Sequence, residues 1–250
     1  GSANKACASS PCSVITCERP EAFCQGGDAT RPTKQQAECT KSRFNNPHCD
    51  YGVKTFNCTD EELCVTGKCE SIPQNVPKSG ELVITEMMGN PSAVSDADGE
   101  WIEVYNPTSG KLSLFTLTLR DNESGNASDE YTIVDKQATV PSKGYAVLAV
   151  EVDKAKNGGI QGAHHYKGSH LKNSPSGMKI ELVRQDGTVV DSAHYGDPTS
   201  GASQQLDKQS YKGAASPAAS NDTAQNWCEP TSTYGDGDKG TPGADNRDCP

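Results

Sequence analysis

From residue 79 onward, apolar and polar side chains alternate in short runs broken by turn formers. The clearest run is Met178, Ile180 and Leu182, apolar at every second position, with Lys179 and Glu181 between them. A period of two describes a strand with one dry and one wet face. Asp186-Gly187 separates this run from residues 188–192 and predicts a hairpin, because glycine accepts the positive φ that tight turns demand. The same reading puts strands at 81–87, 99–107, 131–134 and 144–150, and one beginning at 111 and continuing through Thr116 to Leu119. No long stretch has helical periodicity. The expected class is all-β, an antiparallel sandwich.

The texture before residue 79 is different. Large aliphatic residues are few, and nine of the eleven cysteines lie between residues 7 and 69. A segment this short and this polar cannot bury enough apolar surface to offset its chain entropy, so covalent staples are the expected substitute. Cys12, Cys17, Cys24, Cys39, Cys49, Cys58, Cys64 and Cys69 form an even set of eight, leaving Cys7 unpaired. Eight cysteines allow 105 pairings, so spacing does not give the connectivity. Zinc sites want ligands at gaps of two to four residues, and most gaps here are longer. No pair has the two-residue gap of a redox motif. A structural disulfide module in an oxidising compartment is the reading that remains. The chain therefore divides into a flexible start (1–10), a cysteine-rich module (11–72), a linker (73–79) and the sandwich (80–250).

Residues 11–20, His48-Cys49-Asp50-Tyr51, Asn57-Cys58 and the 64–69 segment resemble the small eight-cysteine repeats of myxobacterial surface and secreted proteins. That resemblance implies no activity. In the second part, residues 82–86, 99–107 and 170–173 look like the lamin tail domain, as do 179–182 with 187–192. Asn226-Trp227-Cys228 and residues 240–246 are typical of its bacterial members. The resemblance implies an immunoglobulin-like sandwich over about residues 79–249. No heptad rod, basic import run or terminal prenylation cysteine accompanies it, which points away from a nuclear filament protein and toward an exported bacterial one. Cys228 and Cys249 are expected to bridge and to hold the polar tail against the sandwich.

The formal charge is −10, and the excess acid falls in the second part. A negative surface repels phosphate backbones, so nucleic acid and anionic membranes are poor partners, and none is expected. No apolar run reaches membrane-spanning length. Gly1-Ser2-Ala3 reads as a cloning remnant on a trimmed export product whose precursor carried a signal sequence or a lipid anchor. The expected location is secreted, or the outer surface of a bacterial cell.

Two acidic loops are candidate metal sites. Asp96, Asp98 and Glu100 alternate around a glycine bend, and Asp236 and Asp238 lie in a Gly-Asp run. Calcium takes several oxygen ligands, which closely spaced loop acids can supply, and it is the one cofactor these loops bring into view. Ordinary Asp-Gly turns are the competing reading. His164, His165 and His170 are expected as surface loop residues, since neighbours on an extended segment point apart. Glu103, between Trp101 and Tyr105 on one strand face, is either an acid with a raised pKa or a carboxylate held by backbone and hydroxyl donors. No partner acid is evident for it. Asn57, Asn122, Asn126 and Asn221 head glycosylation-type triplets that read as chance matches in polar loops, and residues 199–226 as a long polar connection.

No nucleophile, base and acid recur at a recognised spacing, so no catalytic residue is assigned. The expected function is a non-enzymatic extracellular or cell-surface binding or adhesion module whose partner is a protein or glycan. The alternatives are a subunit of a surface filament or coat, and an accessory domain of a secreted hydrolase system.

Overall fold

The computed structural model describes residues 57–250 except 60, 66, 122–129, 167–170, 172 and 174–177, with backbone alone at 121, 178 and 195. It also describes the strand backbones at 23–25, 28–33, 39–41, 47–49 and 52–56. Two compact units divide the chain, Gly1–Ile72 and Pro73–Pro250. The expectations for Cys7, Cys12, Cys17 and His170, and for Asn122 and Asn126, lie outside the described residues.

The first unit is built of short antiparallel pieces. β1 (Phe23–Gln25), β2 (Asp28–Thr33) and β5 (Gly52–Phe56) form a three-stranded sheet, β3 (Cys39–Lys41) pairs with β4 (Pro47–Cys49), and β6 (Glu62–Val65) pairs with β7 (Lys68–Ser71). Gly67, at φ 71, turns the β6–β7 hairpin. A Cys58–Cys69 disulfide with Cα atoms 5.3 Å apart ties that hairpin to the segment before it. Cys64 is also disulfide-bonded.

The second unit is an immunoglobulin-like antiparallel sandwich. One layer has four strands in the order β12 (Glu130–Thr132), β11 (Thr118–Asp121), β16 (Met178–Val183) and β17 (Val189–Tyr195). The other has six: β15 (His164–His165), β14 (Tyr145–Ala149), β9 (Trp101–Tyr105), β8 (Val83–Met88), β18 (Gln204–Leu206) and β19 (Trp227–Cys228). The short pair β10 (Leu112–Ser113) and β13 (Thr139–Val140) lies apart from both layers. Leu119, Ile180 and Leu182 on the first layer, and Ile84, Ile102, Val104 and Leu148 on the second, are all fully buried. The β16–β17 hairpin turns at Gly187, φ 84, with the Gly187 amide donating to the Arg184 carbonyl.

The structure departs from the sequence reading in several places. The strand expected to run from 111 to 119 is broken. Thr116 takes φ 78, and the Leu117 amide donates to the Leu114 carbonyl, so β10 and β11 are separated by a turn. Residues 96–99, weighed as a calcium loop or an Asp-Gly turn, form one helical turn, α1 (Asp96–Gly99). Residues 199–226, read as a polar connection, supply β18, the short helix α2 (Lys208–Tyr211) and two 3₁₀ turns, and they bury Leu206 and Tyr211.

The largest departure is the second face of the six-stranded sheet, which is not wet. Every residue of β8 and β9 is buried. Met88, Trp101, Val147, Ala149 and Ile160 form one apolar cluster on it, with Tyr234 packed alongside. Val83, Tyr105, Leu206 and Tyr211 form another, with Tyr145, Ala218 and Trp227 against it. The chain after residue 206 therefore serves as a third layer over a sheet that alternation alone would leave half exposed.

A buried acid pair and a candidate binding cleft

The third layer is pinned in the middle by two carboxylates. β8 and β9 pair Ile84 with Val104 and Glu86 with Glu103, leaving Thr85 as an extra residue in a bulge. A bulge changes which side chains share a face. Strict alternation would put Glu86 beside Ile84 in the sandwich interior. The bulge turns it to the outer face, opposite Glu103, between the two apolar clusters.

Both carboxylates are fully buried and hydrogen-bonded. Glu86 accepts from the Ser203 hydroxyl at 2.5 Å, and from the Thr241 amide and hydroxyl at 2.9 and 2.8 Å. Glu103 accepts from the Thr85 hydroxyl at 2.9 Å and the Gly243 amide at 2.7 Å. Thr241 and Gly243 belong to the C-terminal tail, so the acids clamp that tail onto the sheet. Burial raises Glu86 to about 7 against the hydrogen bonds that favour its charged form. Burial, and then the charge of Glu86, push Glu103 well above the ordinary carboxylate range. Glu103 thus has both properties weighed for it from sequence, and it has a partner acid after all. The sequence reading missed Glu86 because the pairing register and the bulge are not visible in the alternation.

Further ties hold the same layer. Asn246 donates to the Thr85 and Leu206 carbonyls at 2.9 and 2.8 Å. The Trp101 indole donates to the Tyr234 hydroxyl at 2.9 Å. Asp245 pairs with Lys208 and Lys212, and hydrogen bonding by Lys212 holds its carboxyl down near 2. A Cys228–Cys249 disulfide, Cα atoms 5.9 Å apart, closes the tail on β19.

The candidate calcium residues are spread among protein donors. Asp98 accepts from the Ser95 hydroxyl at 2.7 Å and Asp96 from the Asn173 amide at 2.9 Å. Glu100 is buried, with the Leu171 amide 3.4 Å from its carboxylate. Asp238 is buried and clasped by Ser92 and Ala93, the Ser92 hydroxyl at 2.5 Å, whereas Asp236 is exposed on the loop. Among the described residues, no group of three or more His, Cys, Asp or Glu side chains converges as a metal site. His164 and His165 form the edge strand β15. His164 lies 3.2 Å from Asp135, and the His165 ring meets Tyr131 edge-on.

A cleft of about 600 Å³ opens where β17, at the edge of the four-stranded layer, approaches β18 and β19 of the other. His194 and Gly196 line one side, and Gln204, Trp227, Cys228 and Glu229 the other. Asn221, Asp222 and Ala224 complete the lining from the two 3₁₀ turns and the link between them. The Gly196 amide donates to Gln204 at 2.9 Å and joins the two sides. Trp227 is pinned by its indole N–H, 2.9 Å from the Asn221 carbonyl, and backs onto the Tyr105–Tyr211 cluster.

Beneath the cleft, Asp191 accepts from the Ile84 amide at 2.6 Å and from the Asn221 side chain at 2.8 Å. Asn221 also donates to the Ile84 carbonyl at 3.1 Å. Burial raises Asp191 to about 7. Asn221, whose triplet has a glycosylation pattern, is only 1 % exposed. It is a structural tie between the two layers and unavailable for modification.

Residues 75–197 match the family model of the lamin tail domain. No curated protein matches the chain. The lamin tail domain is an immunoglobulin-like, non-catalytic module, which agrees with the sandwich and fits a binding role. The lamin tail match spans β8 to β17 and ends before β18. It therefore includes Glu86, Glu103 and Asp191, the carboxylates of the polar ties, together with His194 and Gly196 of the cleft. Ser203, Asn221, Thr241 and Gly243, which bond to those carboxylates, lie beyond it, as does the rest of the cleft lining. The cleft is built jointly by the matched residues and the segment that follows.

Proposed function

We propose that the protein is a non-enzymatic binding module that works outside the cell or on its surface, with the cleft beside Trp227 as its contact site. The observation that carries this reading is the cleft itself. Its volume is within the range of ligand sites, and its aromatic wall is held rigid from behind. Rigid aromatic anchors with polar neighbours are what recognition surfaces use. The disulfides fit an oxidising compartment. The Glu86–Glu103 pair, the arrangement most like catalytic acids, is sealed under the tail and does not line the cleft. Its hydrogen bonds go to tail and sheet groups, which is the behaviour of a structural clamp.

The test uses Ala224→Arg, which fills the cleft from an exposed position without touching the core. Wild-type protein is expected to be retained on cell-envelope material of the source organism and the variant to be lost from it. Equal retention of both, or turnover of ester, phosphate or glycoside substrates by the wild type, would overturn the proposal.

A further inference from the structure

Resting on that reading, we infer that the cleft takes a cationic side chain, arginine or lysine, presented by an extended protein segment. The fixed charge of the lining is negative. Asp222 and Glu229 bring carboxylates, the latter accepting from the Thr199 hydroxyl, and among the described residues lining the cleft none is Lys or Arg, His194 being the one titratable base. Asn221 forms the floor beneath them, its side chain almost fully buried and its N–H₂ spent on Asp191 and the Ile84 carbonyl. A cleft whose accessible charge is negative is completed by a ligand that brings donors and positive charge.

Trp227 supplies the other half of the recognition. Indole is the best aromatic partner for a cation, and the attraction grows as water is excluded. The ring is fixed before binding, so little side-chain entropy is lost on capture. The chain already makes this arrangement internally. Lys212 Nζ sits 5.6 and 5.5 Å from the ring centres of Tyr105 and Tyr145 while pairing with the Asp245 carboxylate. The cleft brings together the same residue types, an aromatic ring and carboxylates. The net charge of −10 would also draw a basic partner in.

The test is calorimetric titration of the whole protein with a capped pentapeptide alternating glycine and arginine. Three comparison probes are its citrulline counterpart (same shape, no charge), its glutamate counterpart and an uncharged cello-oligosaccharide. The arginine peptide is expected to bind, more weakly as salt rises. Asp222→Asn and Glu229→Gln, both at exposed positions, should each weaken it roughly two- to fivefold, and Ala224→Arg should abolish it. Citrulline in place of arginine should lose at least about tenfold. Binding of the citrulline or glutamate peptide as tight as the arginine one would overturn the inference. So would preference for the oligosaccharide, an arginine affinity indifferent to both acid variants, or no binding by any probe. If envelope retention is still lost in Ala224→Arg while citrulline binds as well as arginine, the cation inference fails and the cleft reading stands.

Discussion

The clamp formed by Glu86 makes the second unit less stable as the solution becomes more alkaline, and the size of the effect follows from its environment. In the unfolded chain this carboxyl loses its proton near 4.5; in the folded protein it keeps it until about 7. A raised folded value means that the native state holds a proton the unfolded state has released. Stability is then fully present below 4.5, falls as pH rises through the interval up to about 7, and is level above it. Two and a half pH units at about 1.36 kcal/mol each give about 3 kcal/mol as the full swing. Glu86→Gln mimics the protonated group and cannot ionise, so it removes this dependence together with the part of the Glu103 shift that the Glu86 charge causes. The carbonyl oxygen of the new amide can accept from Ser203 and the Thr241 amide while its N–H₂ faces the Thr241 hydroxyl, and the cost of that exchange is constant with pH. Urea unfolding followed by tryptophan emission is a suitable assay, because Trp101 and Trp227 both lie in the second unit. The wild-type advantage over Glu86→Gln should shrink by about 3 kcal/mol between pH 4.5 and 8. A difference that stays flat, or that grows with pH, would mean that Glu86 is ionised throughout and that its hydrogen bonds outweigh burial.

Other parts of the same layer give further expectations. The double variant Cys228→Ser/Cys249→Ser opens a bridge of sequence separation 21 and should lose about 3 kcal/mol in the same urea assay; an unchanged midpoint would show that the polar ties alone hold the tail. Gly235→Ala should lose about 2 kcal/mol or more, since a Cβ there would lie 1.8 Å from the Gly158 carbonyl oxygen. Gly110→Ala, with open space around it, is the near-neutral control, and equal melting temperatures for the two variants would refute the packing argument. Asn221→Ala strips a donor from buried Asp191 and should cost about 1–3 kcal/mol; thermal unfolding indistinguishable from wild type would mean that the site repairs itself with water.

How much of this was legible beforehand depended on the kind of signal. The β16–β17 hairpin was readable because Met178, Ile180 and Leu182 alternate cleanly and Gly187 marks the turn. The sharing of a face by Trp101, Glu103 and Tyr105 was readable for the same reason. The partner of Glu103 was not, because the bulge at Thr85 inverts the face of every later residue in β8 and a bulge leaves no trace in an alternation pattern. Nor was the burial of β9 on both sides. Its covering comes from a Ser-, Ala- and Gly-rich stretch whose few anchors, Leu206, Tyr211 and Trp227, are too widely spaced to have a period. The cleft was hidden for a related reason. His194 and Trp227 stand 33 positions apart and meet only because β18 inserts between β8 and β19.

The placement of polar groups says what the tail is for. A sheet face covered only by apolar contacts can be covered in many registers, since the hydrophobic effect has little directionality. Two buried acids that must each find particular amides and hydroxyls permit one. Thr241 and Gly243 reach Glu86 and Glu103 only when the tail crosses the middle of the sheet, and Asn246 then meets the Thr85 and Leu206 carbonyls. That register also sets where Cys249 meets Cys228, and so helps fix β19 and the orientation of Trp227. The acids hold the scaffold behind the cleft and leave the binding surface to other residues. Loosening the clamp should therefore weaken ligand capture without changing which ligand is preferred. Glu86→Gln at neutral pH should keep the arginine-over-citrulline ratio of the wild type, while Glu229→Gln should reduce it. A ratio that moves with Glu86 would place the buried pair in recognition itself and end the separation of roles argued here.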